Sequence, residues 1–440
     1  MQPTLMARLI VMIMLLLGLT VPLVMIYSVV SERTSRRNEA AGTIGREWGG
    51  PQTLGGPVLT IPYRHAWRDP NGVMQERTDR LFVLPETLSI EGTVDPETRR
   101  RGLFEVVVYT GHLTVSGRFP KPDLSGVRPS PATVDWESAT VDVGISDPRG
   151  IARRVSLSLN GRDAAARPGV TSNGLFSTGV RAPVGGLTAD SEPLAFAFTL
   201  DLKGTSHLQF MPSGDETSVR LSSTWPHPSF FGAPHESVTD DSGFKAAWRV
   251  PYFGRGFSPR WTESDMRPEE RQNQAQSSAF GVTLIRPVDI YVQTERAVKY
   301  AALFIVLTFV IAFLWEISGR VLVHPIQYAF VGFAMSIFYL LLLSLSEHVG
   351  FDRAYAVAAG ATIGLVTWYW SGIVKGLGQG SLMGSALVTL YGFLYLLLRL
   401  EDYALLAGSV GLFIILAALM FMTRKVNWYN LRLAQPETRA

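Results

Sequence analysis

Four side chains near the middle of the chain, His227, His235, Asp240 and Asp241, are the closest this sequence comes to a metal-binding set, because imidazoles and carboxylates are ordinary zinc ligands. Their spacing matches no zinc motif, and the prolines and glycines around them indicate an exposed loop. Acyl transfer would require a Gly-x-Ser-x-Gly elbow, and phosphate binding a glycine-rich loop; the sequence holds neither. His65, His112 and His207 are solitary and read as hydrogen-bonded strand residues. The expectation is a protein without catalytic residues, metal or cofactor.

Groups suited to recognition are easier to find. Between Trp225 and Gly232, Pro226 and Pro228 stiffen a segment that carries Trp225, His227, Phe230 and Phe231. Rigid aromatics of this kind either anchor a partner or glycan or plug their own loop against the core, and the sequence leaves both readings open. His324-Pro325, followed by Gln327 and Tyr328, marks a helix start, since proline at the first helical position lacks an N–H that would be unpaired there anyway; a cytoplasmic contact is the other reading. Glu347 and His348 close an apolar run and read as a solvated rim reaching water, headgroups or Arg353, rather than a proton relay. Glu401 and Asp402, just before Tyr403, sit in a tight turn beside Arg399, where a surface ion pair contributes about 1 kcal/mol or less. Trp368, Tyr369 and Trp370 read as an aromatic belt at headgroup level.

The elements that position these groups follow from hydropathy. Residues 9–30, 298–315, 326–345, 354–374, 382–398 and 404–422 are each near the roughly 20 apolar residues that cross a bilayer as a helix. Only helices satisfy their own backbone there, because every unpaired N–H or C=O in hydrocarbon costs several kcal/mol. The first run exceeds the roughly 7–15 apolar residues of a secretory signal and has a poor cleavage pattern around Ser28-Val29-Val30-Ser31, so it reads as an uncleaved anchor. Arg8, Arg320, Lys375, Arg424, Lys425, Arg432 and Arg439 would be cytoplasmic with both termini inside, leaving Arg353 and Arg399 in the short outer loops. Arg33, Arg36 and Arg37 oppose that orientation, but a large translocated domain overrides local charge. The expected layout is an anchor (1–30), an extracytoplasmic domain (31–297) whose first part (31–47) prolongs the anchor helix, a five-helix bundle (298–423) and a cytoplasmic tail (424–440).

The chain has no cysteine, so the outer domain stands on its core without disulfides. At this length a domain buries about three quarters of its unfolded surface. Residues 31–297 carry 30 Lys plus Arg against 31 Asp plus Glu, which excludes the basic surface that nucleic-acid binding needs. Period-two alternation dominates: Val141, Val143 and Ile145 against Thr140, Asp142 and Gly144; Val155, Leu157 and Leu159; Phe196, Phe198, Leu200 and Leu202. These predict antiparallel strands with one buried side. Asp69-Pro70-Asn71-Gly72, Asp147-Pro148-Arg149-Gly150 and Asn160-Gly161 supply the turns. The fold class is a polytopic α-helical membrane protein, six transmembrane helices arranged 1 + 5, with a large all-β, sandwich-like extracytoplasmic domain.

Several separated stretches resemble the CreD family of bacterial inner-membrane proteins. The membrane part contributes His324-Pro325-Ile326-Gln327-Tyr328, then Phe338-Tyr339 running to Glu347-His348, Phe351, Ala354-Tyr355, Tyr391-Gly392-Phe393-Leu394-Tyr395, Glu401-Asp402-Tyr403 and Trp428-Tyr429. The outer domain contributes Trp48-Gly49-Gly50-Pro51-Gln52, Gly56-Pro57-Val58-Leu59 and Trp225-Pro226-His227-Pro228-Ser229-Phe230. The resemblance implies an inner-membrane protein of cell-envelope integrity, linked to envelope stress and antibiotic response under two-component control. It carries no catalytic residue over.

The functional expectation is therefore a non-enzymatic protein that binds or scaffolds in the envelope through its outer domain, in contact with membrane lipids and with an envelope protein or glycan. Two rivals stand beside it. Ion-coupled transport would place charge inside the bundle, yet every ionisable residue of the last five spans falls at or beyond a span end; a lipid groove between helices needs no such charge. Gly360, Gly364, Gly372, Gly408 and Gly411 are expected at close helix contacts. The second rival is a hydrolase or metal-dependent enzyme in the outer domain.

Overall fold

The computed structural model describes residues 5–68, 74–123, 133–263, 265, 268–285, 289–319, 323–374, 376–400 and 403–424. The chain forms two compact units, one of Asn38–Pro287 and one of Met1–Arg37 with Val288–Ala440. Helix α1 (Leu5–Trp48) enters both and is continuous through residue 30. Its polar second half is held by local bonds such as the i,i+4 pair of Arg36 with Glu32 at 2.6 Å. It stops at Gly49, whose φ of +136° suits glycine and turns the chain into the first strand.

Among the described residues the β unit holds β1 (Gln52–Arg68), β2 (Met74–Val83), β3 (Thr87–Arg101), β4 (Phe104–Phe119), β5 (Thr133–Val134), β6 (Thr140–Ile145), β7 (Ser156–Leu159), β8 (Arg162–Ala165), β9 (Arg167–Pro168), β10 (Gly179–Pro183), β11 (Leu194–Thr205), β12 (His207–Phe210), β13 (Glu216–Ser223), β14 (Pro228–Phe231), β15 (Glu236–Asp240), β16 (Gly243–Pro251), β17 (Arg260–Thr262), helix α2 (Pro268–Ser277) and β18 (Phe280–Leu284). One sheet runs β14-β18-β12-β1-β6-β10-β9, with β2, β5 and β17 attached through β1 and β2. The other runs β15-β16-β13-β3-β4-β11-β7-β8. A single apolar cluster draws on both sheets, including Leu59, Ile61, Val141 and Phe210 from the first and Ile90, Val115, Phe196 and Val219 from the second, so the unit is a sandwich.

Two features depart from the sequence reading. The pairings β1–β12 and β3–β13 are parallel, so the sheets are mixed rather than purely antiparallel. And β6 is buried along both faces instead of having a wet side. A second cluster, with Val58, Phe82, Met211, Trp261 and Ala275 of α2, covers the far face of the first sheet, which makes β1 and β6 interior strands. Asp142 is consequently fully buried, and Thr60 Oγ1 (2.9 Å), Arg181 Nε (3.0 Å) and Thr171 N (3.3 Å) donate to it. Asn160 and Gly161 both take positive φ in the β7–β8 hairpin, as the Asn-Gly pair predicts. The turn expected at 69–72 lies outside the described residues.

The membrane unit adds α3 (Ile290–Gly319), α4 (Pro325–Val349), α5 (Phe351–Val374), α6 (Leu377–Arg399) and α7 (Ala404–Thr423). With α1 these are six helices long and apolar enough to cross a membrane. Helix α4 is central, burying Tyr328, Val331, Met335, Phe338, Tyr339 and Leu342. Glycine packing differs from expectation: a Cβ at Gly360, Gly364 or Gly372 would meet open space, and one at Gly408 would make only ordinary contact. Gly411 does face a neighbour, Phe393, and the other close approaches are at Gly332, which leaves room for Leu19 and Phe309, and at Gly380 and Gly384 against Ser371 and Thr367. Trp370 is fully buried rather than part of an aromatic belt; Trp368 alone of its trio is strongly exposed.

Candidate functional site

In the β unit the Trp48–Gln52 motif is a structural knot. The Trp48 indole donates to the Tyr109 carbonyl (3.1 Å) and lies between two cations, Arg99 at 4.2 Å and Lys203 at 4.3 Å from the ring centre. Gln52 is fully buried and uses its whole amide: Nε2 donates to the carbonyls of Asp147 (3.0 Å) and Lys203 (2.9 Å), while Oε1 lies 3.2 Å from both Asp147 N and the Ser146 hydroxyl. Asp147 also accepts from Gly50 N (2.9 Å), and the Arg149 side chain beside it holds its carboxyl below the usual range. Gly150 comes so close to Gln52 that a Cβ there would sit 2.5 Å from Nε2. The motif thus joins the end of α1 to β1, β4, β6 and β11.

The Trp225 segment is an edge strand. Pro228–Phe231 forms β14 against β18, and Phe230 packs edge-on against Phe244 (5.6 Å) and Trp248 (5.7 Å). The Trp225 indole donates to the carbonyls of His227 (3.1 Å) and Ile285 (3.0 Å) and its body lies on the core, which favours the inward-packed reading. Phe231 remains exposed. The described residues contain no group of three His, Asp or Glu that could hold a metal; Asp240 instead accepts from Ser242, which lowers its pKa. Of the solitary histidines, His112 bonds Asp201 at 2.6 Å, and burial holds His207 below its ordinary pKa.

In the membrane unit two carboxylates that sequence reading left at the rims are buried clamps. Glu316, 3% exposed, pairs with Arg8 of α1, accepts from the Tyr328 hydroxyl (2.9 Å) and lies 3.5 Å from Val323 N. The same corner holds the start of α4: His324 Nδ1 accepts from Ile326 N (3.3 Å) while Gln327 Oε1 accepts from His324 N (2.8 Å), a capping box. At the opposite end of α4, Glu347 has a side chain only 6% exposed; Tyr291 donates to it at 3.1 Å and Arg33 lies at 3.8 Å. The solvated-rim reading of Glu347 is therefore overturned: α1 and α3 cover it. His348 bonds the Ser344 carbonyl (3.0 Å). Arg37–Asp289 at 2.5 Å adds to this second level. Arg8 and Glu316 are 308 positions apart, so no local motif could have announced their pairing.

Motif residues from distant stretches meet in one aromatic cluster. Phe338 lies 4.8, 5.5 and 4.7 Å from the rings of Tyr339, Tyr355 and Tyr391, and Tyr355 donates to the Tyr391 carbonyl (2.6 Å). Among the described residues Arg399 pairs with Asp352 (2.6 Å) and Tyr395. Glu401 and Asp402 lie outside the described residues, as do Trp428 and Tyr429; Tyr403 precedes α7 and is exposed.

Among the described residues, two surfaces bear on the binding and lipid-handling readings. A trough of about 660 Å³ crosses the solvent face of the second sheet, from Thr114 and His112 over Thr93, Glu91 and Arg220 to Lys245 and edge strand β15, every residue of which is exposed. An apolar groove of about 490 Å³ is lined by Leu314 and Trp315 of α3, Leu382 and Ala386 of α6 and Leu419 of α7.

A family model described as inner membrane protein CreD matches residues 4–429. Inner membrane protein CreD of Escherichia coli (strain K12) is 33% identical over 418 residues, which cover 93% of this chain and 91% of that protein. The motif stretches that form the Trp48 knot, the α4 cap and the aromatic cluster all fall within that match, and the chain belongs to the CreD family of inner-membrane proteins.

Proposed function

We propose that this protein supports the integrity of the bacterial cell envelope by binding an envelope partner, without enzymatic turnover, with both termini cytoplasmic and the β unit periplasmic. The observation that carries the reading is the trough on the second sheet: an open surface whose acidic and basic side chains balance, beside an exposed edge strand whose unpaired backbone groups suit protein contact. The membrane unit favours anchoring over ion coupling, because Glu316 and Glu347 are both held by neighbouring helices. The test is complementation. Cells lacking the chain should take up excluded dye and change in envelope-drug tolerance, and the wild type should restore them. Thr93→Lys/Thr114→Lys, at normal membrane level, should not restore them. Unaltered permeability in the deletion, or full rescue by the trough variant, would count against the proposal. A reporter placed in the Asn160-Gly161 turn that behaved as cytosolic would reverse the topology.

A second reading has one observation behind it. The groove beside Trp315 has an almost wholly apolar lining and suits an acyl chain, so lipid handling by the bundle is the alternative. Transfer of labelled lipid between vesicles by purified protein would favour it.

A further inference from the structure

We propose that a second cleft in the β unit, on the far face of the first sheet, binds an uncharged carbohydrate. The cleft measures about 350 Å³ and no lining side chain carries a charge. Into it come three glutamines, Gln209 from β12 and Gln272 and Gln276 from α2, the last two one turn apart on the same helix face. None of their amides is engaged by another described side chain or by the backbone, and each offers both donors and an acceptor. Thr53, Ser146 and Thr178 line the same cleft, the hydroxyls of Ser146 and Thr178 already donating within the protein, and Phe176 supplies an aromatic ring.

The ring is held in place. Asn173 Oδ1 accepts from Leu175 N (2.9 Å) and Phe176 N (3.2 Å), and the Asn173 carbonyl accepts from Trp261 Nε1 and from Arg271 of α2, both at 3.1 Å. Arg271 is itself buried and lies 4.4 Å over the Trp261 ring, so the loop that carries Phe176 and the helix that carries two of the glutamines are fastened to each other. Gly55 and Gly144 make room for the ring; a Cβ at Gly55 would sit 2.9 Å from it.

This chemistry selects the ligand class. An ion entering the cleft would lose hydration without meeting an opposite charge. A neutral molecule dense in hydroxyl or amide groups satisfies a mixed set of donors and acceptors, and its C–H face covers an aromatic ring. An extended peptide fits less well, because β1 and β12 at the cleft floor already pair with each other, Thr53 opposite Gln209, and offer no free edge.

The experiment is calorimetric titration of the full chain in detergent with two uncharged probes, the β-1,4 tetramer of N-acetylglucosamine and maltotetraose. At least one should bind saturably with a Kd of about 1 mM or tighter. Added salt should leave the affinity unchanged. Gln209→Ala, and Gln272→Ala with Gln276→Ala, should each weaken binding by about fivefold or more, the loss expected for one or more hydrogen bonds. The α2 pair lies on an accessible helix face, so that variant keeps its melting temperature even if Gln209→Ala does not. No saturation by either probe up to about 10 mM, unchanged affinity in the α2 variant, or saturation only by an uncharged tripeptide would overturn the proposal. The trough on the other sheet is not involved, so its failure and this one are separable.

Discussion

Glu316 offers the sharpest test of the claim that buried charge in the membrane unit is structural. Its carboxylate is 3% exposed and satisfied by Arg8 and Tyr328, while Arg8 keeps 18% of its side-chain exposure. Removing one member of a fully buried pair costs about 3–5 kcal/mol, because the other charge is left uncompensated. Partial exposure of Arg8 lowers this, so Glu316→Leu alone should destabilise the protein by about 2–3 kcal/mol. For a unit of this size that is a fall in Tm of roughly 5–10 °C. The combination of Arg8→Met, Glu316→Leu and Tyr328→Phe removes the orphaned cation and hydroxyl together, and should recover most of the loss, since well-packed apolar groups replace a buried pair at little cost. Thermal unfolding in detergent gives the stability ranking. Dye permeability of complemented cells gives the functional one, and a clamp predicts that both recover together. If Glu316→Leu melts with the wild type, or if the triple variant is no more stable than the single, the clamp is refuted. If the triple variant is stable yet fails to complement, the charge itself is used and the anchoring argument falls.

Arg149 and its side-chain bond hold the Asp147 carboxyl below its usual range, so this group contributes stability that is present above about pH 4 and is lost as pH falls through its folded pKa; Asp147→Asn should be less stable than the wild type at pH 7, with the two converging in acid unfolding curves. Gly384→Leu should disrupt the bundle, because even a Cβ there would sit 2.7 Å from Thr367 Oγ1, whereas Gly360→Leu meets open space and should leave detergent-solubilised melting unchanged. Phe230→Ala should cost about 2–3 kcal/mol through loss of its contacts with Phe244 and Trp248, and exposed Phe231→Ala less than about 0.5 kcal/mol, both read from denaturant midpoints. The chain has no native cysteine, so a Cys pair at positions 8 and 316 would report the α1–α3 contact without background crosslinking.

Much of the candidate site was visible only as residue type. His324, Pro325 and Gln327 could be read as a cap because a cap is built from neighbours within one turn, and the structure places them so. Glu347 was misread because its partners, Tyr291 and Arg33, come from other helices. Asp142 was assigned a wet face because alternation reports one buried side, and it cannot report a second layer that covers the other. The three glutamines of the cleft carried no local signal at all, since Gln209 and Gln272 meet only through the sheet and the α2 docking.

Partition between water and hydrocarbon acts on each stretch of about 20 residues separately, which is why the six spans and the stranded character of the middle segment follow from local composition and period. Tertiary structure decided what composition leaves degenerate: the parallel pairings, the double burial of β1 and β6, the partners of Arg8 and Glu316, and the glycines that touch a neighbour. Those depend on which surfaces are brought together across hundreds of residues, and the energy of a buried charge or a missing Cβ is fixed by the atoms on the other side of the contact.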